Sequence, residues 1–576
     1  MAVTNTGIVE RNITGVNESD LWLDSEATSS VSNTGIVERP ITGVNESDLW
    51  LDAESTSAVT NTGVVERGVT GVNESDPMFP NNTISNVVNI AGLSYWYASQ
   101  LGAGTKDGTS EANASDVSGI PYASMGVRDS LYLMDTITDS LSIGASDIDI
   151  RGDLSGRELV LDATSQSIGL TAISKTGVKI YGGTYTNATV SNLSFEGSSE
   201  VETFNLVATD SGNQNLQHLD DTVAVHNNLT ATGGIDDGVS GHERANITIS
   251  GNDTNISGNN QGVNVVEHCV LTINCNIGAN TQDDVSIVNN FGSGLVTATL
   301  NNCSAGTVIG RSGSKIVLNN ANITTVLEND GGALPTEIEA NDSVIEEYIT
   351  NANSTGNFTQ CLIKENIETK GTQNFYKSRL LGNTRLLPAA SLELKWCLLS
   401  NENSNSHTID TNNTGSLTAS YNVVSNILSN KFGILSDTGS VVDLNNNTFL
   451  SDGNIGRGMY SNIALTTANN IFSDLNTGCF ARTIVPTLEN NCFFNNNTDV
   501  NGTATNNDVQ STSPLLVDVT NNDFSIGAGS SCIGTGETLT QGEGIDTASW
   551  GNGVNESPTV TTKTQGDSWD IGAYIS

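Results

Sequence analysis

The chain of 576 residues carries 64 acidic and 22 basic residues, a formal net charge of −42, and only 5 % aromatic residues. This length exceeds what one compact core holds, and the scarcity of large side chains argues against thick helix bundles, while the 36 % apolar fraction excludes a disordered composition. The charge disfavours nucleic acid and anionic membrane as partners. We therefore expect an elongated repeat fold or several domains, built of short strands and polar turns.

The N-terminus lacks a basic stretch followed by an apolar one, so no cleaved secretory signal is predicted. No apolar run reaches the roughly 18 residues that a membrane-spanning helix needs. We therefore predict no membrane insertion. The expected location is a particle released by lysis, such as a virion, with secretion or the cell surface as the alternative.

Residues 1–80 form an array of three repeats. The segment Asn5–Arg11 recurs at Asn33–Arg39 and Asn61–Arg67, a period of 28 residues. Units of this length cannot bury a core alone, so they are expected to pack on one another or on a partner.

Each repeat ends in an apolar knob, and such knobs fit the buried anchors of protein interfaces. Three copies would raise the effective concentration on a scaffold with several sites. Alternatively, the knobs fill a small repeat domain or a trimer stem. The predicted docking residues are Leu21, Trp22, Leu23, Leu49, Trp50, Leu51, Met78 and Phe79.

From about residue 245 a small side chain recurs in similar short apolar strands, in steps of 18, 22, 18, 17 and 19 residues, at Cys303, Ala321, Ser343, Cys361, Ser378 and Cys397. This step is too short for a βαβ unit of about 30 residues but suits one coil of three short strands. Equivalent positions then stack about 4.8 Å apart, and the small residues form one inward column. This interpretation makes the cysteines buried free thiols. The alternative, a zinc site of His268, Cys269 and Cys275, has weak spacing.

A second series consists of three tripeptides, which begin at Asn447, Asn470 and Asn491 and have a strand residue second and Phe third. Asn tolerates the left-handed conformation of a tight bend and can bond to its stacked neighbours. The series resembles the repeat signature of pectin-lyase-like parallel β-helix proteins. Tyr95–Ala98 with Asp107–Ser110 resembles the opening of such chains, where a short helix caps the first coil; Met125–Ser130 occupies that place here. Asp570–Tyr574 resembles their closing segment.

The resemblance implies an all-β, right-handed parallel β-helix solenoid behind the N-terminal array. We expect an opening and capping segment at 81–135, the β-helix at 136–520 and a closing segment at 521–576. Members of this superfamily include pectate lyases, polygalacturonases and phage tailspikes. Phage proteins of this type are commonly homotrimers, so the resemblance suggests a homotrimer.

No catalytic motif of that superfamily is found: a Gly-His-Gly sequence and an Arg-x-Lys sequence are both absent. Paired carboxylates are what glycosidases need, and partners must come from neighbouring coils because adjacent residues of one strand point to opposite faces. The candidate catalytic residues are Asp220, Asp221, Asp236, Asp237, His242 and Glu243. No metal ligand set is predicted, although an acidic turn could bind Ca²⁺.

These features favour a phage structural protein of tailspike, tail-fibre or head-fibre type over an enzyme. Its repeats would bind capsid or tail proteins, and its β-helix would bind a host-surface polysaccharide. The alternatives are a polysaccharide lyase or glycoside hydrolase on the same fold, and a bacterial adhesin or filament subunit.

Overall fold

A computed structural model describes residues 94–576, except 290–294, 331–333, 351–353, 402–405, 412–413, 504, 508–511, 541 and 552–555, together with strand backbone before residue 94. By backbone contacts the chain divides into two units, Met1–Ser94 and Tyr95–Ser576. The predicted docking residues Leu21, Trp22, Leu23, Leu49, Trp50, Leu51, Met78 and Phe79 lie outside the described residues.

The strands of the first unit pair in parallel at the repeat period. Val3, Val31 and Val59 are register partners, as are Val9, Val37 and Val65. Equivalent positions of the three repeats therefore lie side by side. The strands are Val3–Asn5, Val9–Glu10, Ile13–Thr14, Val31–Asn33, Val37–Thr42, Val59–Asn61 and Val65–Val69.

The second unit is a right-handed parallel β-helix. Each coil begins with a strand of the first sheet and ends with one or two strands of the second sheet. In the early coils, a strand of the third sheet lies between them in the chain. Parallel pairing then joins each strand to its counterpart one coil later.

The first sheet comprises Tyr95–Ser99, Ser115–Asp116, Ser130–Leu133, Asp149–Arg151, Val178–Tyr181, Glu200–Phe204, Val223–Asn227, Asn246–Ser250, Val270–Asn274, Val296–Asn301, Ser314–Asn319, Thr336–Asn341, Ser354–Thr359, Thr372–Tyr376, Ser391–Lys395, Ser416–Ser420, Val441–Asn445, Thr466–Ala468, Thr487–Glu489 and Thr505–Asn507. The second sheet comprises Leu141–Ser142, Ile168–Ile173, Ser191–Glu196, Gln214–His218, Asp237–Gly241, Gln261–Val266, Asp283–Val288, Ser304–Arg311, Asn322–Asp330, Val344–Thr350, Leu362–Ile363, Ile367–Thr369, Arg379–Leu380, Thr384–Leu386, Leu398–Ser400, Ile409–Asp410, Val423–Ser425, Phe432–Ser436, Thr448–Leu450, Arg457–Ser461, Ile471–Ser473, Thr477–Ala481, Cys492–Phe494 and Thr498–Asn501. The third sheet comprises Thr136–Ile137, Val160–Asp162, Thr184–Thr186, Val207–Thr209, Thr230–Thr232 and Asn255–Ser257.

The core follows from the two-residue period of the first-sheet strands. In Val296–Asn301 buried and half-buried residues alternate, and Val296, Ala298 and Leu300 are all 0 % exposed. The register then carries Leu300 onto Leu318 and Ala340 in the next two coils. Each inward side chain therefore packs on its counterparts above and below, which makes one continuous core.

The two series found in the sequence form a single column. Counting along the register places Cys303, Ala321, Ser343, Cys361, Ser378, Cys397, Asn422, Asn447, Asn470 and Asn491 on one line, all buried. The predicted inward column of small residues is confirmed. We call this line the corner column. Its members follow the first-sheet strand and precede the second-sheet strand, where the chain turns.

In each turn the residue with left-handed backbone is the one directly before the corner column. The predicted position was one residue later, at the column itself. Asn446, Asn469 and Asn490 have positive φ, whereas Asn447 and Asn470 donate and accept along the column. The predicted Phe positions do stack: Phe449, Phe472 and Phe493 lie with ring centroids 4.9 Å apart.

The opening coil is covered without a helix at Met125–Ser130, where the resemblance placed one. Short 3-10 turns at Glu111–Asn113, Val117–Gly119 and Tyr122–Ser124 come first, and Ile120 and Tyr122 pack against the end of the core. Apolar coil edges are thus kept from solvent.

The closing segment folds back on the side of the solenoid. Its two hairpins pair Leu516–Asp518 with Asp523–Ile526 and Glu543–Ser549 with Thr559–Thr564. The indole N–H of Trp396 donates to the Glu543 carbonyl at 2.8 Å. Within the described residues, no helix is long and apolar enough to cross a bilayer.

Candidate functional site: a polar strip on the second sheet

Asp237 is only 1 % exposed but faces away from the core, because the strand Asp237–Gly241 has two inward residues in succession. A Cβ on Gly238 would lie 2.7 Å from the Asn259 amide nitrogen, which is interior, and Val239 is 0 % exposed. This irregularity turns Asp237 outward, where Asn264 Nδ2 donates to Asp237 Oδ2 at 3.4 Å.

Polar residues continue this surface over three coils. The register aligns Asp237 with Gln261 and Asp283, and it aligns Ser240 with Asn264 and Ser286. We call these six residues the outer strip. Gln261 Nε2 donates to Asp283 Oδ2 at 3.0 Å, so neighbouring coils are linked through side chains.

The outer strip has hydrogen-bonding capacity that the described residues do not use. Asp237 Oδ1, Asn264 Oδ1 and Ser286 Oγ are buried and have no partner there. A buried polar atom without a partner costs about 1–3 kcal/mol, and single atoms of this kind also occur at other described residues, such as Thr369 Oγ1 and Ser436 Oγ. Three on adjacent coils make the strip a candidate ligand site.

The Asp237 carboxyl is tuned toward its neutral form. Burial, followed by the nearby charge of Asp236, raises its pKa to about 7, and the Asn264 hydrogen bond opposes the shift. Asp237 can therefore donate or accept a proton near neutral pH. Asp283 lies two coils away, which places the two Cα atoms about 10 Å apart at the usual strand spacing. Carboxyl groups about 6.5–9.5 Å apart suit hydrolysis with inversion.

Asp236 directly precedes Asp237, whereas Asp220 and Asp221 follow the strand Gln214–His218, and His242 and Glu243 follow the strand Asp237–Gly241. These last four candidates lie in the turns that lead back to the first sheet. Arg244 pairs with Asp221, with nitrogen–oxygen distances of 2.5 and 3.1 Å. A hydrogen bond that protonated Glu243 shares with Asp220, together with the charge of Asp220, raises the pKa of Glu243. Asp220 and Glu243 thus lie next to each other on neighbouring coils. This pair lies in solvent and is separate from Asp236 and Asp237.

His242 directly follows the strand Asp237–Gly241 and is half-buried. Burial lowers its pKa, while the charge of Glu267 acts in the opposite direction. Across the described residues no group of three or more His, Cys, Asp or Glu side chains is arranged to hold a metal ion.

A buried histidine pair was missed in the sequence. His218 Nδ1 lies 2.8 Å from the Ser240 carbonyl, His218 Nε2 lies 2.9 Å from His226 Nε2, and His226 Nδ1 lies 2.8 Å from Thr203 Oγ1. The carbonyl can only accept, so His218 donates there and accepts from His226, which accepts from Thr203. Both rings are thereby satisfied in the neutral form, and burial lowers both pKa values, that of His218 to about 4.

Comparisons with known proteins identify no family for this chain. No family model matches the chain, and no curated protein matches it. Among solved structures, the crystal structure of pectate lyase Pel9A is similar, with 14 % identity, 84 % of this chain and 97 % of that chain covered, and a TM-score of 0.21. The β-helix assignment rests on the strand pairing itself.

Proposed function

We propose that this chain binds a polysaccharide along the outer strip. The observation that carries the proposal is the set of unsatisfied atoms on three adjacent coils: Asp237 Oδ1, Asn264 Oδ1 and Ser286 Oγ. Sugar hydroxyl groups both donate and accept, so one glycan chain lying across the coils could satisfy all three when the neighbouring side chains that bury them turn aside. The repeat of the strip along the helix axis favours a polymer over a small molecule.

The charge of the chain indicates which polysaccharides to expect. With a net charge of −42, the protein repels polyanions at low ionic strength. We therefore propose a neutral or weakly charged glycan. Pure full-length protein is tested against a panel of neutral and acidic polysaccharides at low and at physiological salt. Binding to a neutral member supports the proposal, and no binding to any member contradicts it.

A second candidate function, glycoside hydrolysis, is favoured by the raised pKa of Asp237 and the position of Asp283 two coils away. Asp237 would protonate the leaving oxygen, and Asp283 would activate water on the other side of the bond. New reducing ends from the same panel, of inverted anomeric configuration and lost in Asp237→Asn and Asp283→Asn, would support hydrolysis. Binding without new reducing ends or unsaturated sugars leaves a binding protein.

We further propose that the molecule is a virion attachment protein of tailspike or fibre type, with the N-terminal repeats bound to the capsid or tail. The in-register pairing of three repeats supports a regular array of repeated docking surfaces. Detection in purified virions, together with a solution mass three times that of the 60.3-kDa chain, is the expected result. A protein absent from virions contradicts this assignment but not glycan binding.

A further inference from the structure

Two thiols meet where the closing segment contacts the last coil. Cys492 begins the strand Cys492–Phe494, and Cys532 follows the hairpin that ends at Ile526. Both are 0 % exposed and belong to one small cluster with Ile471, Ile526 and Ile571. Cys492 Sγ lies 3.4 Å from the Thr512 carbonyl, and Thr512 Oγ1 donates a hydrogen bond to the hydroxyl of Ser531, the residue before Cys532, so the two cysteines lie side by side.

Two of the other cysteines, Cys361 and Cys397, share one column but lie too far apart to pair. Cys361 Sγ lies 3.4 Å from the Ala340 carbonyl, and Cys397 Sγ lies 3.2 Å from the Phe375 carbonyl. These two thiols occupy the corner column with Ser378 between them, so their Cα atoms are about 10 Å apart, beyond the roughly 7 Å limit for a disulfide.

We propose that Cys492 and Cys532 form a disulfide under oxidising conditions and that this bond ties the closing segment to the last coil. Elsewhere this segment is held without covalent bonds, by an apolar cluster that packs Phe524 and Tyr574 on Val423 and by hydrogen bonds such as the one from Ala573 N to Thr448 Oγ1 at 3.1 Å. The bond would close a chain loop from residue 492 to residue 532. Closing such a loop restricts the unfolded chain and stabilises the folded one.

The surroundings of the two sulfurs also set the order of events. The hydrogen bond between them lowers the pKa of Cys532 and raises that of Cys492, so Cys532 is the first thiolate. The Cys532 thiolate attacks a small-molecule disulfide such as oxidised glutathione and releases one glutathione thiolate. Cys492 then loses its proton, attacks the mixed disulfide at the Cys532 sulfur and releases the second glutathione thiolate. Because both sulfurs are buried, exchange requires local opening of the closing segment.

The experiment counts free thiols in the full-length protein. Reduced protein that is denatured in the presence of N-ethylmaleimide should carry eight adducts, one for each cysteine. Protein first equilibrated with oxidised glutathione should carry two fewer, and non-reducing peptide mapping should link residues 492 and 532. The oxidised protein should also unfold at a higher temperature than the reduced protein.

Matched variants separate this pair from the other thiols. Cys532→Ser and Cys492→Ser should lose the cross-link and the redox-dependent change in unfolding temperature, whereas Cys269→Ser should keep both. Because adducts are counted after denaturation, the result does not depend on how stable a variant is. All eight thiols remaining free after equilibration, or a cross-link between other cysteines, would overturn the proposal.

Discussion

Asn470 accepts two hydrogen bonds from Asn447 on the preceding coil. The backbone N–H of Asn447 lies 2.8 Å from Asn470 Oδ1, and Asn447 Nδ2 lies 3.0 Å from the same atom. Asn470 in turn bonds in the same way to Asn491, and Asn422 to Asn447. The carboxamides thus continue, by a different chemistry, the corner column that Cys and Ser occupy in earlier coils.

Asn470→Ala is expected to destabilise the protein. The substitution leaves the buried Asn447 N–H without its acceptor, at a cost of about 1–3 kcal/mol, whereas Asn447 Nδ2 keeps the Ala419 and Asn445 carbonyls. Denaturant unfolding followed by circular dichroism measures the loss. Asn374→Ala is the control, since its exposed bond to Asn357 at 2.8 Å should contribute less than about 0.5 kcal/mol. Equal losses in the two variants would show that the column is not a buried ladder.

Asp237→Asn is expected to stabilise the protein at alkaline pH. The folded pKa of about 7 lies above the ordinary value of 3.8, so the contribution of Asp237 is full below pH 3.8 and is lost as the pH rises through 7. The neutral amide avoids this loss, with an expected gain on the order of 2–4 kcal/mol at pH 8 and almost none at pH 3. Unfolding is measured at both values. Asp253→Asn, an exposed control, should behave as the parent at each; a gain at pH 3 equal to that at pH 8 would contradict this account.

The histidine pair is expected to make the folded protein sensitive to acid. Because the folded pKa values lie below 6.5, this stability is full above pH 6.5 and is lost as the pH falls toward about 4, on the order of 3 kcal/mol for His218 alone. The unfolding temperature of His226→Gln should therefore fall less steeply between pH 7 and pH 4.5 than that of the parent. His268→Gln should keep the parent slope. A parent-like slope in His226→Gln would show that the pair does not titrate on unfolding.

The fold could be predicted from the sequence because every coil repeats the same local demands. The small residues that include Cys303 and the asparagines that include Asn470 are both recognisable in the sequence as repeats, although they form two separate series there. Small residues and asparagines both fit the same turn of the coil, and only the strand register shows that they lie in one corner column. The coil length between Cys397 and Asn422, 25 residues, interrupts the shorter step that the sequence revealed.

The site was harder to predict because it depends on register and on one local irregularity. Asp237 was a candidate, but Asn264 and Ser286 carry no motif and become partners only when coils of 22 and 24 residues are stacked. The inward turn of Gly238 changes the face on which Asp237 lies. Strict alternation along the strand would have placed Asp237 inside with Val239.

Binding of a polysaccharide to the outer strip is tested most directly by the glycan affinity of variants of the strip. Asn264→Ala and Ser286→Ala remove two of the unsatisfied atoms, and Asn374→Ala removes an exposed amide from the first sheet. Titration calorimetry with the best neutral polysaccharide should show each strip variant weakened about tenfold, equivalent to one lost hydrogen bond of about 1.4 kcal/mol, and the control unchanged. Parent-like affinity in both strip variants would contradict the proposed binding surface.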